Sequence, residues 1–238
     1  MIRVYCDFDG TVCPEDIGEQ LFRTFVGDQA QDIVDTLLRG EINAQEWLRR
    51  ECEAIPSLDR KTFDAFVDGH AVDPQFPAFV RFAEERGMAV TVVSDGLDAY
   101  VERVLAAAGL QRIPFFANAA HFVRRGSRDR VEVSFPYTDA ECDRCGNCKR
   151  NHLLTRSADD DIIVYVGDGY SDRCPVRFAD VVFARRELIK YCQEQNITYR
   201  PFRGFGEVRT RLQALLERAS VRPRREAVMA RREVFAQG

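Results

Sequence analysis

Four short runs of β-branched and aliphatic residues punctuate the chain, at 2–6 (Ile-Arg-Val-Tyr-Cys), 89–93 (Ala-Val-Thr-Val-Val), 162–166 (Ile-Ile-Val-Tyr-Val) and 181–184 (Val-Val-Phe-Ala). Nearly continuous apolar runs of this length mark strands buried on both faces, as in a parallel sheet. Around them the period changes to 3.6. In 97–109, Leu97, Tyr100, Val101, Val104, Leu105 and Ala108 share one helical face and Gly109 supplies the stop. In 73–87, Phe76, Phe79, Val80 and Ala83 do the same, and Gly87 ends the run. Residues 171–179, 185–195 and 205–219 complete the helical set. Strands alternating with helices predict an α/β fold, a Rossmann-like, mainly parallel sheet covered by helices.

Residues 13–72 break this alternation. Ile17, Leu21, Phe22 and Phe25 share a face, as do Ile33, Val34, Leu37 and Leu38; Trp47 and Leu48 mark a third helix, and Phe63, Phe66 and Val67 a fourth. An all-helical insertion after the first strand stands over that strand's carboxyl end, where ligands bind in open α/β sheets. The expected organisation is a catalytic core of 1–12 and 73–219, a helical cap of 13–72 and a basic tail of 220–238. Within the core, Phe122-Val-Arg-Arg-Gly126 and Arg130-Val-Glu-Val133 predict a β-hairpin around Gly126. The arginines near the C-terminus, Arg218, Arg222, Arg224, Arg225, Arg231 and Arg232, predict a solvated helix or a frayed end.

The net charge of −4 gives no field that would draw the chain to nucleic acid or to an anionic membrane. No apolar run approaches a membrane span. Charged Arg3, Asp7 and Asp9 fall where a signal peptide needs an apolar stretch, so a cytoplasmic location is expected. In that compartment most of the eight cysteines are expected to be buried small hydrophobes, not disulfides.

The candidate chemistry begins where the first strand gives way to Asp7-Phe8-Asp9-Gly10-Thr11. Side chains at i and i+2 leave a strand on one face, so both carboxylates project beyond its end. Two such carboxylates repel unless a cation lies between them or one holds a proton. This predicts a Mg²⁺ site, an acid/base pair, or both. Similar groups recur at other strand ends: Ser94-Asp95-Gly96 after 89–93, and Gly167-Asp168-Gly169-Tyr170-Ser171-Asp172 after 162–166, with Lys149 between them.

These four motifs, in this order, resemble the haloacid dehalogenase superfamily of phosphohydrolases, and the helical insertion after the first resembles its phosphoserine phosphatase branch. The resemblance implies a Mg²⁺-dependent phosphomonoesterase acting on a small phosphorylated metabolite. Asp7 would be the nucleophile that forms an aspartyl phosphate, and Asp9 the general acid, then base. Mg²⁺ would be held by Asp7, the main chain of Asp9, and Asp168, with Asp172 in support. Lys149 would neutralise phosphate charge, and Gly10, Thr11, Ser94 and Gly96 would bind phosphate oxygens. Arg150 is an alternative to Lys149.

Cys145-Gly-Asn-Cys148-Lys149, Phe183-Ala-Arg185, Cys192-Gln-Glu-Gln-Asn196, Pro201-Phe202 and Phe205-Gly-Glu-Val208 resemble the methionine-salvage phosphatases, which act on a methylthio enol phosphate. Asp95, where that branch favours glycine, and the Gly169-Tyr-Ser-Asp172 sequence depart from it. Phosphoserine phosphatase and transfer to an acceptor alcohol are alternative activities. For the former, Glu15 or Asp16 would meet the substrate ammonium, against the simpler role of an acid at a helix start. A non-catalytic phospho-ligand-binding protein is a third alternative, and it predicts loss of Asp7 or Asp9, both of which are present. Cys142-x-x-Cys145-x-x-Cys148, with His152 beyond, is a candidate zinc or redox cluster. Its alternative is a loop that positions Lys149.

Overall fold

The chain is described from a computed structural model covering residues 1–140, 142, 144–218 and 221–237. β1 (Ile2–Cys6) is followed by four helices, α1 (Ile17–Phe25), α2 (Gln29–Leu38), α3 (Ala44–Ala54) and α4 (Arg60–Val67), then by α5 (Phe76–Glu84) and β2 (Ala89–Leu97). α6 (Asp98–Ala107) leads to β3 (Phe115–Arg125), β4 (Arg128–Ser134) and α7 (Lys149–Thr155). β5 (Ile162–Gly167), β6 (Val181–Ala184), α8 (Glu187–Glu194), β7 (Arg200–Pro201), α9 (Phe205–Glu217) and α10 (Arg225–Gln237) complete it.

The strands form one sheet in the order β4-β3-β2-β1-β5-β6-β7, parallel except for β4. β1 lies in the middle, with Cys6 opposite Val92 on one side and Val166 on the other. The chain returns on one side of β1 with β2 and on the other with β5, so the connections diverge at β1. That divergence opens a crevice at its carboxyl end, and Asp7 and Asp9 lie there.

Period-2 alternation divides the core between the two faces of the sheet. Val4, Cys6, Val92 and Val166 pack with Phe76, Phe79 and Phe205 from α5 and α9. Tyr5, Val93, Ile163 and Tyr165 face Leu153, Leu188 and Cys192 from α7 and α8.

Three of the first four helices, α1, α3 and α4, begin at side-chain caps. Asp16 accepts from the Glu19 amide, Asn43 from that of Glu46 and Asp59 from that of Thr62. The expected hairpin is present, and β3 does double duty. Its first residues pair with β2, and from Ala119 onward it pairs with β4. The hairpin braces the helical segment: the Leu58 amide donates to the Asp129 carbonyl, Arg130 donates to the carbonyls of Glu53 and Ile55, and Phe63 meets Phe122 edge-on at 5.0 Å.

Two expectations need correction. Residues 171–179 form two 3₁₀ turns, Tyr170–Asp172 and Pro175–Arg177, not an α-helix. The Asp172 carboxylate captures the amides of Asp168 and Gly169, and Pro175 removes a donor. Most of the cysteines are buried, as expected: Cys6, Cys13, Cys52, Cys148 and Cys192, with Cys174 exposed. The basic tail is docked instead of solvated over its described part. Arg231 donates to both carboxylate oxygens of Asp180 and to the Phe178 carbonyl, and Ala227 is buried. Residues 219, 220 and 238 of the expected helix and tail lie outside the described residues.

Candidate active site

Asp7 and Asp9 leave β1 as the turn that carries Gly10 begins. Gly10 has φ +71°, and a Cβ there would lie 2.3 Å from Asp168 Oδ2. Only glycine lets this turn pass so close to the carboxylate at the end of β5. Thr11 Oγ1 then donates to Asp168 Oδ1 at 3.2 Å.

Lys149, the first residue of α7, is buried. Its Nζ donates to Asp7 Oδ1 at 2.5 Å, to Ser171 Oγ at 2.8 Å and to Asp172 Oδ1 at 2.8 Å. Arg150 turns away to pair with Asp139, so of the two it is Lys149 that reaches Asp7. Asp172 is saturated: Oδ1 also accepts from Tyr165 Oη at 2.6 Å, and Oδ2 accepts from the amides of Asp168 and Gly169. It therefore orients Lys149 and the turn around Asp168 and has little capacity left for a ligand.

The electrostatics are those of buried like charges. Asp7, Asp168 and Asp172 offer oxygens all within 4.8 Å of one another. Burial and then Asp172 push the Asp7 carboxyl well above the usual range, against the pull of Lys149. Asp168 is raised by burial and Asp172, with Arg186 opposing at 3.0 Å. Burial lowers the proton affinity of Lys149, but Asp172 and Asp7 more than offset it, so it stays charged. Three buried carboxylates against one lysine and one arginine leave net negative charge, before Asp9 or a phosphate dianion is counted. Oxygen donors with that imbalance fit a hard divalent cation.

Asp9 is held apart from this cluster. Its Oδ1 accepts from the Ile17 amide at 2.9 Å, and its Oδ2 from Tyr100 Oη at 2.7 Å and Ser94 Oγ at 3.4 Å. Burial, and next the charge of Asp16, raise its pKa to about 7. Gly96 is required here, because a Cβ would lie 1.5 Å from Tyr100 Oη. The Gly96 amide donates to Ser94 Oγ at 3.0 Å. All the expected residues of the four motifs thus converge on one crevice.

Several positioning residues escaped the sequence reading. Asn147 donates through Nδ2 to the carbonyls of Ser94 and Phe116, while its own amide donates to Asp95 Oδ1. It latches the start of α7 to the far part of β2 and the start of β3. Its position two residues before Lys149 was the available signal. Tyr100, Tyr165 and Arg186 carried none beyond apolar periodicity or a surface charge. The cysteine loop runs beside this latch. His152 is committed elsewhere, stacked on Phe116 at 4.4 Å with Nε2 against Asn147 Oδ1 at 2.6 Å, and its pKa falls to about 4 by burial and by Arg156. Asp16 caps α1, which is the simpler of its two readings.

Above the carboxylates lies a cavity of about 520 Å³. The helical segment lines it with Phe22, Leu37, Trp47 and Leu48, and the core with Asp7, Asp9 and Asp168.

Residues 2–203 match the family model described as Putative Phosphatase. A Bacillus cereus (strain AH820) protein named 2-hydroxy-3-keto-5-methylthiopentenyl-1-phosphate phosphatase is 30% identical over 222 residues, 91% of this chain and 98% of its own. One of that name from Bacillus mycoides (strain KBAB4) is 32% identical over 219 residues, with the same coverage. Among solved structures, a phospho-aspartyl intermediate analogue of phosphoserine phosphatase is similar with a TM-score of 0.64 and 18% identity. The match covers 88% of this chain and 98% of that one. A phosphoserine phosphohydrolase-like protein from Francisella tularensis subsp. tularensis SCHU S4 reaches 0.66 at 16% identity, covering 89% and 100%.

Proposed function

Since the chain belongs to the putative phosphatase family, as a phosphatase of haloacid dehalogenase type, we propose that it hydrolyses a small phosphomonoester with a short apolar tail. The methylthio enol phosphate named for its Bacillus relatives is the first candidate. The observation that carries the reading is the convergence of Asp7, Asp168 and Lys149 under a cavity whose upper wall is apolar.

Asp7 is the nucleophile. Lys149 opposes the upward shift of the Asp7 carboxyl and so favours its anion, and it stabilises charge on the incoming phosphoryl group. Attack of the Asp7 carboxylate on phosphorus expels the alcohol or enol, which takes its proton from Asp9. A pKa near 7 leaves Asp9 able to hold that proton at neutral pH and then accept one from the water that cleaves the aspartyl phosphate. Tyr100 fixes the direction of the Asp9 carboxyl, and Ser94 and Thr11 offer hydroxyls beside the phosphoryl position. Asp7 and Asp168 would hold Mg²⁺, with Asp172 anchoring the turn behind them. When bound, Mg²⁺ neutralises phosphoryl charge.

Phe22, Leu37, Trp47 and Leu48 supply apolar surface that suits a methylthio tail, while Asp16, Arg144, Arg173 and Arg177 line the same cavity as the charged groups that an amino acid head group would meet. A turnover screen containing the methylthio enol phosphate, phosphoserine and p-nitrophenyl phosphate, with Mg²⁺ or with EDTA, tests the proposal. The expected result is highest kcat/KM on the enol phosphate and none with EDTA. Preference for phosphoserine would overturn the substrate, and turnover in EDTA the metal.

A further inference from the structure

Among the described residues, the sulfurs of Cys142, Cys145 and Cys148 do not draw to within 4.8 Å of one another, so their spacing marks no assembled metal site. The turn after β5 holds a different group that the hydrolysis leaves unused. Tyr170-Ser-Asp-Arg-Cys-Pro-Val-Arg177 directly follows Asp168-Gly169, and Tyr170, Ser171, Arg173 and Arg177 all line the catalytic cavity. The turn is fixed in place, because Lys149 Nζ donates to Ser171 Oγ and to Asp172 Oδ1, each at 2.8 Å. Arg173 is the next residue.

Arg173 is held in position without being neutralised. Its guanidinium lies over the rings of Tyr170 and Tyr191 at 4.6 and 5.6 Å, and both rings line the same cavity. Contact with ring faces steadies the guanidinium plane and leaves its N–H edges for a partner. The Arg173 Nε is buried and has no hydrogen-bond partner. Neither Arg173 nor Arg177 makes a side-chain hydrogen bond or an ion pair among the described residues. The arginines after β6 differ. Arg185 donates to the carbonyls of Gly10 and Arg203, and Arg186 pairs with Asp168. Those two brace the scaffold, whereas Arg173 and Arg177 keep their donors for a group that enters the cavity.

We propose that Arg173 and Arg177 form a carboxylate subsite in the catalytic cavity, and that compact phosphomonoesters bearing a carboxylate are a second class of substrate. The subsite rests on the proposed placement of the phosphoryl group at Asp7 and Lys149, and it adds recognition of the other end of the ligand. A guanidinium fork meets a carboxylate through two parallel N–H···O bonds. A carboxylate suits this cavity better than a second phosphate does. Asp9, Asp16, Asp95 and Asp168 also line it, and they repel a dianion more strongly than a monoanion.

The cavity thus has two recognition surfaces beyond the phosphoryl position. Phe22, Leu37, Trp47 and Leu48 of the helical segment accept an apolar tail, and the 170–177 turn accepts a charged end. A volume of about 520 Å³ admits either kind of small ester. The methylthio enol phosphate uses the apolar surface alone and keeps its rank. An ester with a carboxylate draws binding energy from the arginines, remote from the reacting phosphorus.

The test compares 3-phosphoglycerate with glycerol 3-phosphate, which differ only in a carboxylate or a hydroxymethyl group at the far end. In Mg²⁺, kcat/KM should favour 3-phosphoglycerate by at least about tenfold, the worth of one charge-assisted pair. Arg173→Gln should bring that ratio to within about threefold of unity, and Arg177→Gln should lower it. Titration calorimetry on folded Asp7→Asn, with and without Arg173→Gln, should give the same preference as a ratio of dissociation constants, free of turnover. A binding preference that Arg173→Gln abolishes, with neither ester hydrolysed by the wild type, would support the subsite and count against the hydrolysis. Equal binding of the two esters overturns the subsite, as does a preference that both glutamine variants leave unchanged. Should those variants fail to fold, the ratio on the wild-type turn decides.

Discussion

Glu51 shows how a single residue can run against its helix. It lies on the inner face of α3, and neither carboxylate oxygen has a hydrogen-bond partner. The Trp47 indole N–H, one turn earlier, is near enough to favour the anion but does not reach bonding geometry. Burial dominates and raises the Glu51 pKa to about 7. The folded chain therefore binds this proton more tightly than the unfolded chain. Between pH 4.5, the ordinary glutamate value, and about 7, stability contributed by the neutral form is lost as pH rises. Glu51→Gln should flatten that slope and raise stability at pH 8 on the order of 2 kcal/mol, given about 1.4 kcal/mol per pK unit. Denaturant melts at pH 5 and pH 8 check this; an unchanged pH slope in the variant contradicts it. The same scale explains why Asp7 and Asp9 were legible while Tyr100 and Arg186 were not. The carboxylate pair announces itself by spacing, whereas Tyr100 fits an apolar helix face and Arg186 looks like any surface charge until the fold aims it at Asp168.

At the scale of elements, strands buried on both faces were readable because their apolar runs have no competing pattern. β7 has two residues and β3 opens with Phe-Phe-Ala-Asn, so neither offers a run long enough to recognise. The 3₁₀ turns after β5 were misread as a helix because the Asp172 carboxylate, not local propensity, decides that backbone. α7 depends on Asn147, whose side chain joins it to β2 and β3. Asn147→Ala removes the side-chain donor to the carbonyls of Ser94 and Phe116, at a cost of about 1–3 kcal/mol. It should also lower kcat by freeing Lys149. Thermal melts and steady-state kinetics test both, and a stable variant with unchanged kcat would remove Asn147 from the account. α10 gives a comparable test. The Asp180 side chain is buried and held by Arg231 together with the amides of Ile163 and Arg224, so Arg231→Ala removes its paired cation and should destabilise by about 3 kcal/mol. A change within about 0.5 kcal/mol, the range of ordinary surface substitutions, would return the tail to the solvated state expected from its charge.

For the molecule as a whole, the crevice is made by topology. β1 sits where connections diverge, so residues from 7 to 172 meet at one edge of the sheet. The first three helices close over that edge and give it an apolar wall, and the hairpin braces them. Which of these helical side chains would face the substrate could not be read from periodicity, because Phe22 and Leu48 serve both the helical core and the cavity. The central claim is that this architecture serves a nucleophilic Asp7. The most direct measurement is turnover of the methylthio enol phosphate in Mg²⁺ by Asp7→Asn, with circular dichroism to confirm that the variant is folded. The account predicts a kcat at least about 10³-fold below wild type. A folded variant within tenfold of the wild-type rate would contradict it.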